Sequence, residues 1–161
     1  MNKNFQIALR DYLNHLEIER GLSEKTISGY KFDLKVFAKF LDENIFEENW
    51  YLKSIKSRHI RSFLAYLKKE RKNSPEAMNR KIVALHTFFK FLKRTGEYVI
   101  KDNPSKDFKK LKTEKKLPEY LSLDECEKLL DTIPEVSNEP KKDLALYQLF
   151  LQTGARISEV S

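Results

Sequence analysis

The sequence predicts an all-α protein: a four-helix bundle over residues 1–96, a basic linker over 97–120, and the first helices of a second domain over 121–161. Three observations carry that prediction. Apolar residues recur three and four apart through the bundle region, the spacing of one helix face. No stretch alternates apolar and polar residues for long enough to make a strand. Only four glycines occur in 161 residues, and two of them, Gly21 and Gly96, fall where apolar rows stop.

The elements follow in order. Phe5, Leu9, Tyr12, Leu13 and Leu16 predict an amphipathic helix over residues 4–20, closed by Gly21. Ser23 can cap the second helix, whose apolar row is Ile27, Tyr30, Leu34, Phe37 and Leu41. Residues 44–56 are irregular, and Trp50, Tyr51 and Leu52 are expected to cover one end of the bundle. Ser57 is expected to cap a third helix with Ile60, Phe63, Leu64 and Leu67 inward. Ser74 followed by Pro75 starts a fourth, because proline lacks the N–H that the first helical turn leaves unpaired. Its inward row is Met78, Ile82, Leu85, Phe89 and Leu92; Phe88 and Phe91 lie off that row, so this helix is expected to pack on more than one side.

Composition excludes several classes. With 40% hydrophobic and 34% charged residues the chain reads as globular. Cys126 is the only cysteine, so no intrachain disulfide and no thiolate zinc cluster can form, which suits a reducing compartment. His15, His59 and His86 have no partners at metal-ligand spacing, so no metal is expected. No apolar run approaches the ~20 residues that span a bilayer, and the N-terminus enters an amphipathic pattern rather than a signal peptide. A cytoplasmic protein without membrane association is expected.

The net charge is +7, from 31 Lys and Arg against 24 Asp and Glu. Residues 53–94 hold 13 cations against only Glu70 and Glu76, while the stretches on either side are mildly acidic. A concentrated excess of this kind is the footprint of a nucleic-acid face, or a solvated helical surface. On the second helix Ser28, Lys31, Lys35 and Lys39 form an outward stripe. On the fourth, Asn79, Val83, His86, Thr87, Lys90 and Arg94 do the same, with Arg80 at the margin. Lys and Arg neutralise phosphates, and Asn, Thr, His and Arg also reach base edges, so these stripes point to double-stranded DNA. Exposed lysine that serves only solubility is the plainer reading.

Asn103-Pro104 breaks helical continuity, and Lys101, Lys106, Lys109, Lys110, Lys112, Lys115 and Lys116 crowd a stretch poor in apolar residues. These are the marks of an interdomain linker, and its basicity would let it follow a phosphate backbone. Leu117-Pro118 closes it. Beyond it, Ser122 caps a helix with first-turn acids Asp124 and Glu125, which Pro134 is expected to end. Pro140 opens another, rich in Leu, Tyr and Phe, and Thr153-Gly154-Ala155-Arg156-Ile157-Ser158-Glu159 follows close to Ser161. An end there suggests a truncated second domain.

These residues resemble the tyrosine recombinases of the phage-integrase family, in particular its Xer-like and integron- or transposon-type members. Leu22-Ser23-Glu24-Lys25-Thr26 with Tyr30, Leu34, Phe37, Phe40 and Leu41 is similar to the opening of the family's SAM-like core-binding domain. Ile60 to Leu67 resembles its third helix, and Arg80, Leu85, Phe88, Phe89, Phe91 and Leu92 with Asn103-Pro104 its fourth helix and exit. Leu117 to Ser122 is similar to the entry of its mixed α/β catalytic domain, and Thr153 to Glu159 to the box of its first catalytic arginine.

The resemblance implies attack of a tyrosine on a DNA phosphate, a 3′-phosphotyrosine intermediate and re-ligation to a partner strand. Covalent capture conserves the phosphodiester, so no cofactor is implied. Arg156 would stabilise charge on the non-bridging oxygens and Glu159 would support it. An ordinary i,i+3 ion pair is the alternative for these two. Lys25 and Thr26 join Lys31, Lys35, Asn79, Arg80, His86, Thr87, Lys90 and Arg94 as candidate DNA contacts. The family's later motifs and its nucleophilic tyrosine have no counterpart after Arg156, so DNA binding without cleavage is expected. The family acts as tetramers on paired sites; this chain by itself is expected to be monomeric. A stand-alone helical DNA-binding or regulatory protein is the competing reading.

Overall fold

A computed structural model describes residues 2–47, 50–114 and 119–160, and within them the chain is helical with no strand. It divides into two units, Met1–Glu114 and Lys115–Ser161. The expected features at Lys115, Lys116, Leu117 and Pro118, and at Ser161, lie outside the described residues.

The first unit holds α1 (Lys3–Asn14), α2 (Glu24–Asn44), α3 (Ser57–Lys69) and α4 (Pro75–Thr95). Each helix starts where a side chain can answer its unpaired N–H groups. The Asn2 carboxamide accepts from the N–H of Asn4 and Phe5, and donates to the Trp50 carbonyl at 2.6 Å. Ser23 and Ser74 cap α2 and α4 by accepting from Thr26 and Ala77. α3 differs from expectation: Ser57 is its first helical residue and Lys56 its cap position. The Lys56 N–H donates to His59 Nδ1 at 3.2 Å while the His59 N–H returns to the Lys56 carbonyl. The imidazole thus fills the role that Glu or Gln plays in a capping box.

The helix ends are equally local. Gly96 and Gly21 take left-handed φ values of 72° and 57°, conformations that other L-residues rarely adopt. α3 ends with Lys72 in that region (φ 48°), as the Asn73 N–H closes onto the Leu67 carbonyl at 3.0 Å. The expected single helix over 4–20 is not uniform. After Asn14 the chain widens into a π-helical turn, His15–Glu19. There the His15 ring stacks on Phe91 at 5.0 Å and its Nδ1 meets Glu19 Oε2 at 2.9 Å.

Aromatic side chains dominate the core. Phe5, Tyr12, Phe37, Phe63, Phe88 and Phe89 are fully buried, linked by edge-on and tilted contacts such as Phe5–Phe88 at 5.3 Å and Phe37–Phe63 at 5.0 Å. α4 is central: Phe88, Phe89, Phe91 and Leu92 are buried together, so it packs on more than one side as its off-row phenylalanines predict. Trp50 and Leu52 are buried beside them, and Trp50 Nε1 donates to Asp42 at 2.8 Å.

Residues 97–114 belong to this unit. Tyr98, Ile100 and Phe108 pack against the core, Pro104 and Ser105 are buried, and the Arg61 guanidinium lies 6.0 Å from the Phe108 ring. Asn103 Nδ2 donates to the His86 carbonyl at 3.1 Å. Further on, Leu111 exchanges two hydrogen bonds with the Asn79 carboxamide, at 2.6 and 3.0 Å. The stretch expected to be a linker therefore runs back along α4, from His86 to Asn79. Its anchors are isolated in sequence, and so they show no period.

The second unit holds α5 (Leu123–Val136), α6 (Pro140–Thr153) and the short α7 (Ile157–Val160). Ser122 and Glu125 form a reciprocal capping box, and its hydrogen bonds lower the Glu125 carboxyl pKa. Pro134 does not end α5. It sits inside the last turn, where only one carbonyl loses its N–H partner, and the helix runs on to Val136. Among this unit's described apolar residues only Ile133 is buried; Leu123, Val136 and Ile157 are each at least 75% exposed. No helix among the described residues is long and apolar enough to cross a membrane.

Candidate nucleic-acid interface

On α2, Lys25, Lys31 and Lys35 are exposed, and none meets a carboxylate at ion-pair distance among the described residues. Lys39 lies 3.5 Å from Glu43. Thr26 is exposed beside the cap, its hydroxyl 3.0 Å from Ser23 Oγ. Between the lysines stands Phe32, 57% exposed. It is absent from the sequence-predicted contacts because one exposed aromatic breaks no pattern; its i+3 and i+7 spacing to Lys35 and Lys39 was the available signal.

α4 is more constrained. Arg80 aims its fork at Asp33 on α2, with Nε to Oδ2 at 2.8 Å and Nη2 to Oδ1 at 3.0 Å. Lys81 Nζ completes the cluster at 3.1 Å from Oδ1. Asp33 and Lys81 are 2% and 4% exposed, while the Arg80 side chain remains 59% exposed. A buried carboxylate thus carries two cations, and the pairing fixes α2 against α4. Asp33 and Lys81 escape prediction as interacting residues because a lone acid next to an apolar row gives no hint that its partner Arg80 lies 47 residues away, with Lys81 beside it.

The other α4 candidates divide. Both polar atoms of the Asn79 carboxamide bond to the Leu111 backbone. The Thr87 hydroxyl accepts from Tyr12 Oη at 2.8 Å and donates to the Val83 carbonyl, so it joins α4 to α1. Burial pushes the Tyr12 phenol up to about 12, which keeps its proton available for that bond. Arg94 Nη2 lies 3.5 Å from Glu19 and 3.4 Å from the His15 ring, with its side chain 61% exposed. His86 is half-buried. Lys90 is exposed and meets no carboxylate among the described residues. The open cations are therefore Lys25, Lys31, Lys35 and Lys90, with Arg80 and Arg94 exposed but tethered.

In the second unit, Gly154 (φ 65°) closes α6 and the chain turns into α7. The Arg156 N–H donates to Glu159 Oε2 at 2.7 Å, and its Nη1 lies 3.2 Å from Oε1. The arginine side chain is 82% exposed. The i,i+3 pair given as the alternative for these two residues forms, and most of the guanidinium stays exposed.

The family model "Phage integrase, N-terminal SAM-like domain" matches residues 9–96. Tyrosine recombinase XerC of Caldanaerobacter subterraneus subsp. tengcongensis is 31% identical over 167 aligned positions, covering 94% of this chain and 46% of that protein. XerC of Staphylococcus aureus strain MSSA476 is 33% identical, covering 92% and 48%. XerD of Oceanobacillus iheyensis is 32% identical, covering 96% and 50%. No solved structure gives a significant match. The chain spans about half the length of the curated relatives it matches. With the four-helix unit coinciding with the matched region, the chain belongs to the phage-integrase family of tyrosine recombinases and is Xer-like.

Proposed function

We propose that the first unit grips duplex DNA through α2 and α4, as the DNA-binding portion of a site-specific recombinase that exchanges strands through a 3′-phosphotyrosine. Residues 1–96 form the core-binding domain in this reading, 97–120 the connection, and 121–161 the opening of the catalytic domain. The observation that carries it is the set of open cations on α2 and α4, two helices locked together by Asp33. Lysines act as point charges on phosphates, and a fixed angle between the two helices keeps them in register with a groove.

Arg156 supplies a permanently charged donor for a phosphate oxygen, with Glu159 fixing its backbone and one nitrogen. In this reading the 161-residue chain by itself binds DNA and does not cleave it. It works in the cytoplasm, is monomeric alone, and joins recombinase protomers in a tetramer when the whole enzyme sits on paired sites.

Titration of a labelled duplex tests the reading. Lys35→Ala with Lys90→Ala should weaken binding and reduce the slope of log K against log salt by about 0.9 for each phosphate that is no longer neutralised. Affinity unchanged from low to moderate salt contradicts the interface. A nicked suicide substrate should give no covalent adduct, and an adduct contradicts the inactivity.

A further inference from the structure

Eight of the thirteen cations in the basic stretch lie between residues 53 and 72, on α3 and its flanks rather than on α4. Five cations line one groove of about 990 Å³ beside the start of α3: Lys53, Lys56 and Arg58 from one wall, Lys101 and Lys106 from the other. None of the five has a carboxylate at ion-pair distance among the described residues. The one acid among the described lining residues, Asp102, lies 3.7 Å from Lys93. All five are exposed. Five like charges gathered around one acid repel one another, and that repulsion is relieved when a polyanion enters.

The groove continues into the proposed interface. Asn103, just before Lys106, is pinned to His86 and Leu111, just after it, to Asn79, and the exposed Lys109, Lys110 and Lys112 lie along or next to that path. A track of single charges from the groove to the α4 stripe suits the repeating phosphates of one strand. Lysine ammonium groups are suited to that task because they accept any approach direction. We infer that this groove is a second phosphate-binding site, which takes the sugar–phosphate backbone of the duplex held by α2 and α4. The inference rests on the DNA-binding reading.

The test uses the full chain and a labelled duplex. A Lys56→Gln/Lys101→Gln/Lys106→Gln variant changes only exposed side chains. The salt slope should fall by about 2–3, at roughly 0.9 per phosphate neutralised. A control with the same charge change on α1 and its end, Lys3→Gln/Arg10→Gln/Arg20→Gln, should leave the slope near the parent value. Equal slopes for the groove variant and the control overturn the groove assignment, even where Lys35→Ala/Lys90→Ala weakens binding as expected. Failure of the parent chain to bind any duplex overturns the DNA-binding reading and this inference together. Poly-glutamate that competes with the duplex as well as unlabelled duplex does would assign the groove to an acidic peptide instead, and also overturns it.

Discussion

Asp33 is the residue on which the geometry of the proposed grip depends. Its carboxylate lies inside the bundle and accepts from Arg80 on the surface side and Lys81 on the buried side. The two partners are not equivalent. Asp33→Ala leaves the Lys81 ammonium buried without a counter-charge, at a cost of about 3–5 kcal/mol. Arg80→Ala removes a half-exposed arm and leaves the Asp33–Lys81 pair intact, at a cost of about 1 kcal/mol. Urea unfolding of the two variants checks the order, and equal destabilisation would show that Lys81 finds another partner. The apolar row on α2 and the outward lysines were legible in the sequence because each has a helical period. The Asp33 cluster was not, because it is a long-range pairing, and long-range pairing has no local signature.

At the scale of elements, α3 depends on the unusual cap at Lys56. His59 is buried, and two donors, the Lys56 N–H and Arg58 Nε, face its ring nitrogens. Burial lowers its pKa from the ordinary 6.5, and the charges of Arg58 and Lys56 add to that. The folded state therefore favours the neutral ring, while the unfolded chain takes up a proton as pH falls through about 6.5. The contribution is complete above that pH and is lost as pH drops toward the folded-state value. The thermal midpoint should fall between pH 7.5 and 5.5, and His59→Gln, which keeps an acceptor at the cap, should flatten the fall. An unaltered pH profile in that variant contradicts the role. Helix starts at Ser23, Ser74-Pro75 and Ser122, and stops at Gly21 and Gly96, were readable because caps are local chemistry. The π turn at His15 and the left-handed Lys72 were not, since tertiary contacts and chain closure impose them on residues that do not prefer them.

The whole molecule comprises two units of different character. The first has an aromatic core that includes residues 98–108, so the basic connection is partly an integral wall of the bundle. The second buries one apolar side chain among its described residues and presents Arg156 on an exposed turn. The charge distribution was legible as an excess in one stretch, and folding divides that stretch between the α4 stripe and the α3 groove. The proposed DNA-binding surface is the one that α2 and α4 form together. Backbone amide chemical shifts of the full chain, followed by NMR as a duplex is added at low salt, test it most directly. The largest shifts should cluster on α2 from Lys25 to Lys35 and on α4 around Lys90. Large shifts confined to the second unit, or none in α2 and α4 at saturating duplex, would contradict it.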